Sequence, residues 1–141
     1  MSDEEEIRKV VVDNYFDKIC DQYNQEDGHW ESTFAVDAKF YRAKDVHAGR
    51  GTIKTNMRLR GSKMLSNKHV ISNLEMKVVG DKASVTCEWV WSGVHEGKRH
   101  TQRGYNSFGL RKENGHWLIE EIKKTPRGGY LNEVPDPGKT L

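Results

Sequence analysis

The chain is short of cysteine, proline and long apolar runs, and each shortage narrows what it can be. Two cysteines in 141 residues, Cys20 and Cys87, are too few for a disulfide framework, so a reducing cytoplasm is the expected setting. No apolar stretch approaches the roughly eighteen residues of a membrane span. The opening Met-Ser-Asp-Glu-Glu-Glu is acidic where a secretory leader carries positive charge and then an apolar core, so no leader is expected. There is no Asn-x-Ser/Thr acceptor, no Gly-x-Ser-x-Gly elbow and no Cys-x-x-Cys pair. All three prolines lie at residue 126 or beyond, so none interrupts the earlier elements.

Two partial motifs also fail. Pro137-Gly138-Lys139-Thr140 ends like a phosphate-binding loop but lacks the earlier glycine and any following helix. His95-Glu96-Gly97-Lys98-Arg99-His100 spaces its histidines five apart, and Gly97 makes the segment a turn rather than a zinc-binding helix. No metal and no cofactor is expected.

What remains suffices for one domain over residues 1–141, with 125–141 read as a C-terminal loop or lid. Hydrophobic residues make up 35% and charged residues 31%, and four Trp, five Tyr and four Phe can build a core or line a pocket. Net charge is +2 but uneven: residues 1–37 carry −8 and residues 38–141 carry +10. Either the two parts pack together and their fields cancel, or the basic part meets an anion. Nucleic acid is the weaker reading.

The first segment has a helical pattern. Ser2 and Glu5 form a capping box, and Ile7, Val11, Tyr15, Ile19 and Tyr23 recur every fourth residue. Asp27-Gly28 ends it, and His29 to Phe34 reads as a short second helix. Lys39 to Arg42 is a short strand, and Ile53 to Met64 a third helix with Lys54, Arg58, Arg60 and Lys63 outward. From His69 the period becomes two. Strands are expected at 69–79, 83–91, 100–111 and 117–122, with turns at Gly80-Asp81 and Asn114-Gly115. Helices followed by antiparallel strands predict an α+β fold, a curved antiparallel sheet closed into a cone by the N-terminal helices and enclosing a pocket.

Within that pocket a few polar residues stand out. His69, at an apolar strand start, is either a general base or a hydrogen-bonded rim histidine. Asn106 shares a face with Phe108 and Leu110, so its amide either serves a loop or donates to a developing oxyanion. Tyr23 and Tyr41 offer phenols or are core residues. Trp89, Phe108 and Asn24 are the candidate substrate contacts. Trp89 and Trp91 also fit core or dimer-face packing.

The order and spacing of Phe34-Ala-Val-Asp-Ala-Lys-Phe40, His69-Val-Ile-Ser-Asn-Leu, Gly80-Asp-Lys-Ala-Ser-Val and Lys112-Glu-Asn-Gly-His-Trp-Leu-Ile resemble the SnoaL-like branch of the nuclear transport factor 2-like superfamily. The likeness spans about residues 4–125. The His69 segment looks like the catalytic histidine strand of scytalone dehydratase and of hexachlorocyclohexane dehydrochlorinase, and Asn106 falls at an active-site Asn of the former. Those enzymes pair the His with an Asp near the end of the first helix. Ungapped counting from Asp37 puts Tyr23 there, with Asn24 adjacent and Asp21 and Asp27 close. Either Asp21 or Asp27 shifts in, or the mechanism differs. A second His of scytalone dehydratase falls near Cys87, so that role is not carried over.

The resemblance implies cofactor-free acid–base chemistry on a small apolar carbonyl compound, such as a polyketide or terpenoid secondary metabolite. The reaction would be dehydration, double-bond isomerisation or aldol-type cyclisation, with His69 as base and Asn106, Tyr23 or Tyr41 holding the enolate oxygen. The alternatives are a non-catalytic small-molecule-binding or protein-interaction module of the same fold, and a nucleic-acid binder using helix 53–64. A homodimer through the outer sheet face is implied by resemblance alone.

Overall fold

The computed structural model describes residues 1–23, 26–42, 45–61 and 65–130, the last five as backbone only. The first helix opens as α1 (Asp3–Arg8), where the Ser2 side chain accepts from the Glu5 N–H at 3.1 Å. It then winds as a π-helix over Lys9–Asp21, and the Gln22 N–H returns to the Asp17 carbonyl, five residues back. The wider turn keeps residues four and five apart on one side, which is why Ile7, Val11, Tyr15, Phe16 and Ile19 are all buried. Tyr23 leaves the stripe with a positive φ of 54°. Helix α2 (Asp27–Thr33) buries Trp30 and stacks it on Phe34, ring centroids 5.3 Å apart. Helix α3 (Arg50–Gly61) buries Ile53.

The strands are β1 (Phe34–Arg42), β2 (Asp45–Ala48), β3 (Leu65–Val79), β4 (Lys82–His95), β5 (Lys98–Glu113) and β6 (His116–Tyr130). They form one sheet in the order β2-β1-β6-β5-β4-β3. Hairpin turns at Glu96-Gly97 and Asn114-Gly115 have φ positive at both central residues, as the strand twist requires.

The expected cone is not what forms. The sheet is open, with β2 and β3 as edges, and is not strongly curved or closed. Nor is it wholly antiparallel: β1 runs parallel to β6, so the sheet is mixed. Alternation along a strand reports which face is apolar. It does not report which distant strand lies alongside or whether the sheet closes.

Other boundaries move as well. β1 begins at Phe34, β2 was not expected, and α3 begins at Arg50. The lid expected from residue 125 is, as far as Tyr130, a continuation of β6 paired to β5; residues 131–141 lie outside the described residues.

The helices cover one sheet face. Between them lies a core of Tyr15, Phe16, Phe34, Trp89, Phe108, Leu110, Trp117 and Ile119. Burying each such side chain contributes about 1.5–3 kcal/mol before ordering costs. Three ion pairs join the acidic first segment to the basic remainder. Asp3 meets Lys112 at 3.2 Å, Asp37 meets Arg111 at 2.9 Å, and Asp27 pairs with Lys54 of the basic helix face. No helix is long and apolar enough to cross a membrane.

Candidate active site

An open cavity lies between the π-helix, α3 and the covered face of the sheet. Its walls are largely apolar, from Phe16, Ile19, Phe40, Met57, Trp89 and Trp91. Apolar walls with a few polar groups fit a small organic ligand better than a bare ion.

His69 enters from β3. Its backbone N–H donates to Asp21 Oδ2 at 2.8 Å, and its Nδ1 lies 2.5 Å from Asp21 Oδ1. An ionised carboxylate only accepts, so Nδ1 carries the proton and Nε2 is left as the basic nitrogen for the cavity. The pair is well shielded, with side-chain exposures of 12% for His69 and 7% for Asp21. Burial pushes the imidazole below its ordinary value of 6.5, against the opposing pull of Asp21. The ring is therefore neutral, and able to accept a proton, at neutral pH. Phe16 and Trp89 hold it, with ring centroids at 5.1 and 5.9 Å.

Of the two carboxylates left open by sequence, Asp21 is the partner. Asp27 is committed to Lys54. Asp21 is the last residue of the π-helix, two positions before the residue that ungapped counting reached.

Asn106 is 2% exposed and lines the cavity. Its Oδ1 accepts from Trp89 Nε1 at 2.9 Å, which orients the amide. Nδ2 then has no partner among the described residues and can donate to a ligand oxygen. The same bond fixes Trp89, whose ring also packs against Gly104. Tyr23 lines the cavity, but its hydroxyl donates to the Arg58 carbonyl at 2.5 Å and its ring packs on Gly61. Its first role is thus to tie the end of the first helix to α3.

Not every candidate meets at this site. Tyr41 lies between Phe40 and Arg42, which line the cavity, so alternation turns it to the other face, beneath Lys123 Nζ at 5.7 Å. Phe108 is core, packed edge-on to Tyr15 at 5.5 Å and Phe16 at 5.8 Å, and does not line the cavity. Asn24 lies outside the described residues.

Several lining residues were missed. Lys124 places Nζ 5.0 Å from the Trp89 ring centroid. Burial, then Arg60, pushes its ammonium down to about 8. Arg42, Arg60 and Gln102 also line the cavity. The available signal was alternation carried two residues past the core: Phe40 to Arg42, and Ile122 to Lys124. Cys20 also lines the cavity, but burial raises its thiol to about 12, so it is a poor nucleophile. Among the described residues no cluster of His, Cys, Asp and Glu is arranged to hold a metal.

Comparison with known proteins agrees with this architecture. The SnoaL-like domain family matches residues 1–123. No curated protein matches the sequence. Among solved structures, a protein from Novosphingobium aromaticivorans named as a candidate aromatic ring hydroxylase superposes with a TM-score of 0.79 at 20% identity, covering 92% of this chain and 94% of its own. A Kribbella flavida protein gives 0.80 at 12% identity, covering 93% and 96%. A candidate scytalone dehydratase from Novosphingobium aromaticivorans gives 0.76 at 16% identity, covering 88% and 83%. At these identities the likeness is one of fold. With the family matching nearly the whole described chain, the protein belongs to the SnoaL-like domain family.

Proposed function

We propose that this domain is a cofactor-free acid–base catalyst that removes a proton next to the carbonyl of a small, largely apolar compound. The reaction classes that suit it are dehydration, double-bond isomerisation and aldol-type cyclisation, and a polyketide or terpenoid is the substrate class we infer. The observation that carries this reading is the buried Asp21–His69 pair, which leaves the imidazole Nε2 as a base beside an apolar cavity.

In this reading Nε2 takes the proton and the resulting imidazolium is stabilised by Asp21. The Asn106 amide donates to the enolate oxygen, a contact worth about 10²–10³-fold in rate where it is well aligned. His69 then returns the proton at a second carbon, or to a leaving hydroxyl. Trp89 and Phe16 keep the base dry and oriented. We further infer a homodimer through the uncovered sheet face, where the exposed Val70 and Val90 stand opposite each other on neighbouring strands.

The test is deuterium exchange at the α-carbon of 2-tetralone, followed by NMR in wild type and His69→Ala. Catalysed exchange that falls about 10²-fold or more in the variant supports the base. Exchange at the buffer rate in wild type would move the assignment to a non-catalytic binding module, and full exchange in His69→Ala would remove His69 as the base.

A further inference from the structure

The catalytic pair uses one side of the cavity. The other side carries an unexplained concentration of positive charge. The strand register sets Cys87, Asn106, Lys124 and Arg42 side by side across β4, β5, β6 and β1. Asn106, Lys124 and Arg42 all line the cavity, so their side chains leave the same face of the sheet. Arg60 joins them at the mouth from the last turn of α3.

This arrangement is unfavourable by itself. Arg42 and Lys124 are direct neighbours on adjacent strands, and like charges in that relation repel. Five other cations, Lys54, Lys82, Arg111, Lys112 and Lys123, pair with carboxylates, and burial sets Lys124 apart from the solvated ones. Among the described residues no Asp or Glu lines the cavity, and Arg42, Arg60 and Lys124 form no ion pair. Asp21 is nearby but engaged twice by His69. Lys124 instead rests on the Trp89 ring and Arg42 on the Phe40 ring, 5.4 Å from its centroid. Aromatic faces attract a cation but neutralise nothing.

A fold that gathers three cations and a free amide donor against aromatic walls, and withholds the counter-charge, has a place for an anion on an apolar body. We propose that Lys124, Arg42 and Asn106, with Arg60 at the mouth, form a carboxylate-binding subsite, and that the substrate is an aromatic or alicyclic carboxylic acid. This rests on the acid–base reading for what happens at His69, but the subsite itself does not.

Lys124 and His69 both contact the indole of Trp89. A carboxylate anchored at Lys124 therefore shares the Trp89 wall with the base, and the reacting C–H belongs on the bicyclic or monocyclic body that packs there. The anion also restores full protonation of Lys124, so binding takes up a proton where the free ammonium is partly titrated. The charged and titratable groups facing Lys124 are Arg60 from α3, Cys20 from the first helix, His69 from β3 and Arg42 from β1. Cys20 is raised to about 12 and His69 is already neutral at neutral pH, so neither changes charge from pH 7 to 9.5.

The experiment compares 2-naphthoate with the isosteric neutral 2-naphthamide, by tryptophan fluorescence and calorimetry. It uses wild type, Lys124→Met, Arg42→Gln and His69→Ala, each checked for native circular dichroism. The expected result is naphthoate binding about 10-fold or more tighter than the amide at pH 7. The preference should shrink as pH rises through about 8, where free Lys124 loses its proton. It should largely vanish in Lys124→Met, weaken in Arg42→Gln and persist in His69→Ala. Equal affinities, no measurable naphthoate binding, or a preference that survives Lys124→Met overturns the subsite. A preference lost in His69→Ala but kept in Lys124→Met assigns the anion to the imidazole and overturns it too. A Lys124-dependent preference with no His69-dependent deuterium exchange leaves the subsite standing and removes the base.

Discussion

Asp21→Asn isolates the contact on which the site depends. The asparagine keeps the size of Asp21, and its carbonyl can still accept the His69 backbone N–H that now donates to Oδ2 at 2.8 Å. What changes is the group opposite Nδ1. A charge-assisted hydrogen bond contributes about 1.5–3 kcal/mol and a neutral one about 0.5–1.5. The replacement should therefore cost about 1–2 kcal/mol. Solvent does little to screen this pair, because the Asp21 side chain is only 7% exposed. For a chain of this length that is a fall in Tm of about 3–8 °C.

The chemical consequence is larger. If the amide turns its N–H toward Nδ1, the imidazole must place its proton on Nε2 and the base is lost. The expected loss in exchange rate is about 10²–10⁴-fold. The decisive assay is NMR of the ring nitrogens in histidine-labelled protein, with His69 assigned by difference from His69→Gln. Wild type should show the proton on Nδ1. In Asp21→Asn the proton should move or exchange between the nitrogens. The His69 midpoint should also drop further, because the contact that opposes the effect of burial is gone. An unchanged tautomer with an unchanged midpoint would refute the dyad, whatever the activity.

Two further outcomes follow from the same geometry. Gly104→Ala would drive a methyl group into the Trp89 ring and to 2.8 Å from the Thr125 carbonyl, so it should destabilise the fold by about 1–3 kcal/mol; thermal melting that matched wild type would show that the Trp89 wall yields freely. Because burial holds His69 below 6.5, with Asp21, Lys124 and Lys68 as the charges facing it, the native state binds a proton there less readily than the unfolded chain. Its contribution to stability is complete above about pH 6.5 and declines as pH falls below that value, and catalysed exchange should lose its acid limb at a midpoint under 6.5. Urea titrations from pH 4.5 to 8 in wild type and His69→Gln check the first part: the acid-side loss should be smaller in the variant, and identical slopes would refute it.

Much of the fold was legible because local chemistry decided it. The Ser2–Glu5 box, the Asn114-Gly115 turn and the alternation Ala83, Val85, Cys87, Trp89 each report on residues a few positions away, and each holds in three dimensions. The same alternation placed Asn106 inward and His69 at the edge of an apolar face. Position on a face is a property of the strand itself, with its period of two.

Partnership is different, because it depends on how distant segments pack. Asp21 and His69 are 48 residues apart, and Asp21 rather than Asp27 reached the imidazole because packing set the end of the first helix against β3 and Asp27 against Lys54. The sheet stays open because its edge strands β2 and β3 do not pair with each other, and the parallel pairing of β1 with β6 set Arg42 beside Lys124. Local patterning in the amino-acid order disclosed most of the helices and strands and placed His69 and Asn106 toward the cavity, since sterics, capping and apolar periodicity act over a few residues. Only the tertiary structure decided which carboxylate meets His69 and which cations share the cavity, because both depend on long-range pairing of strands and helix, where Coulomb and burial energies are settled by distances no local pattern encodes.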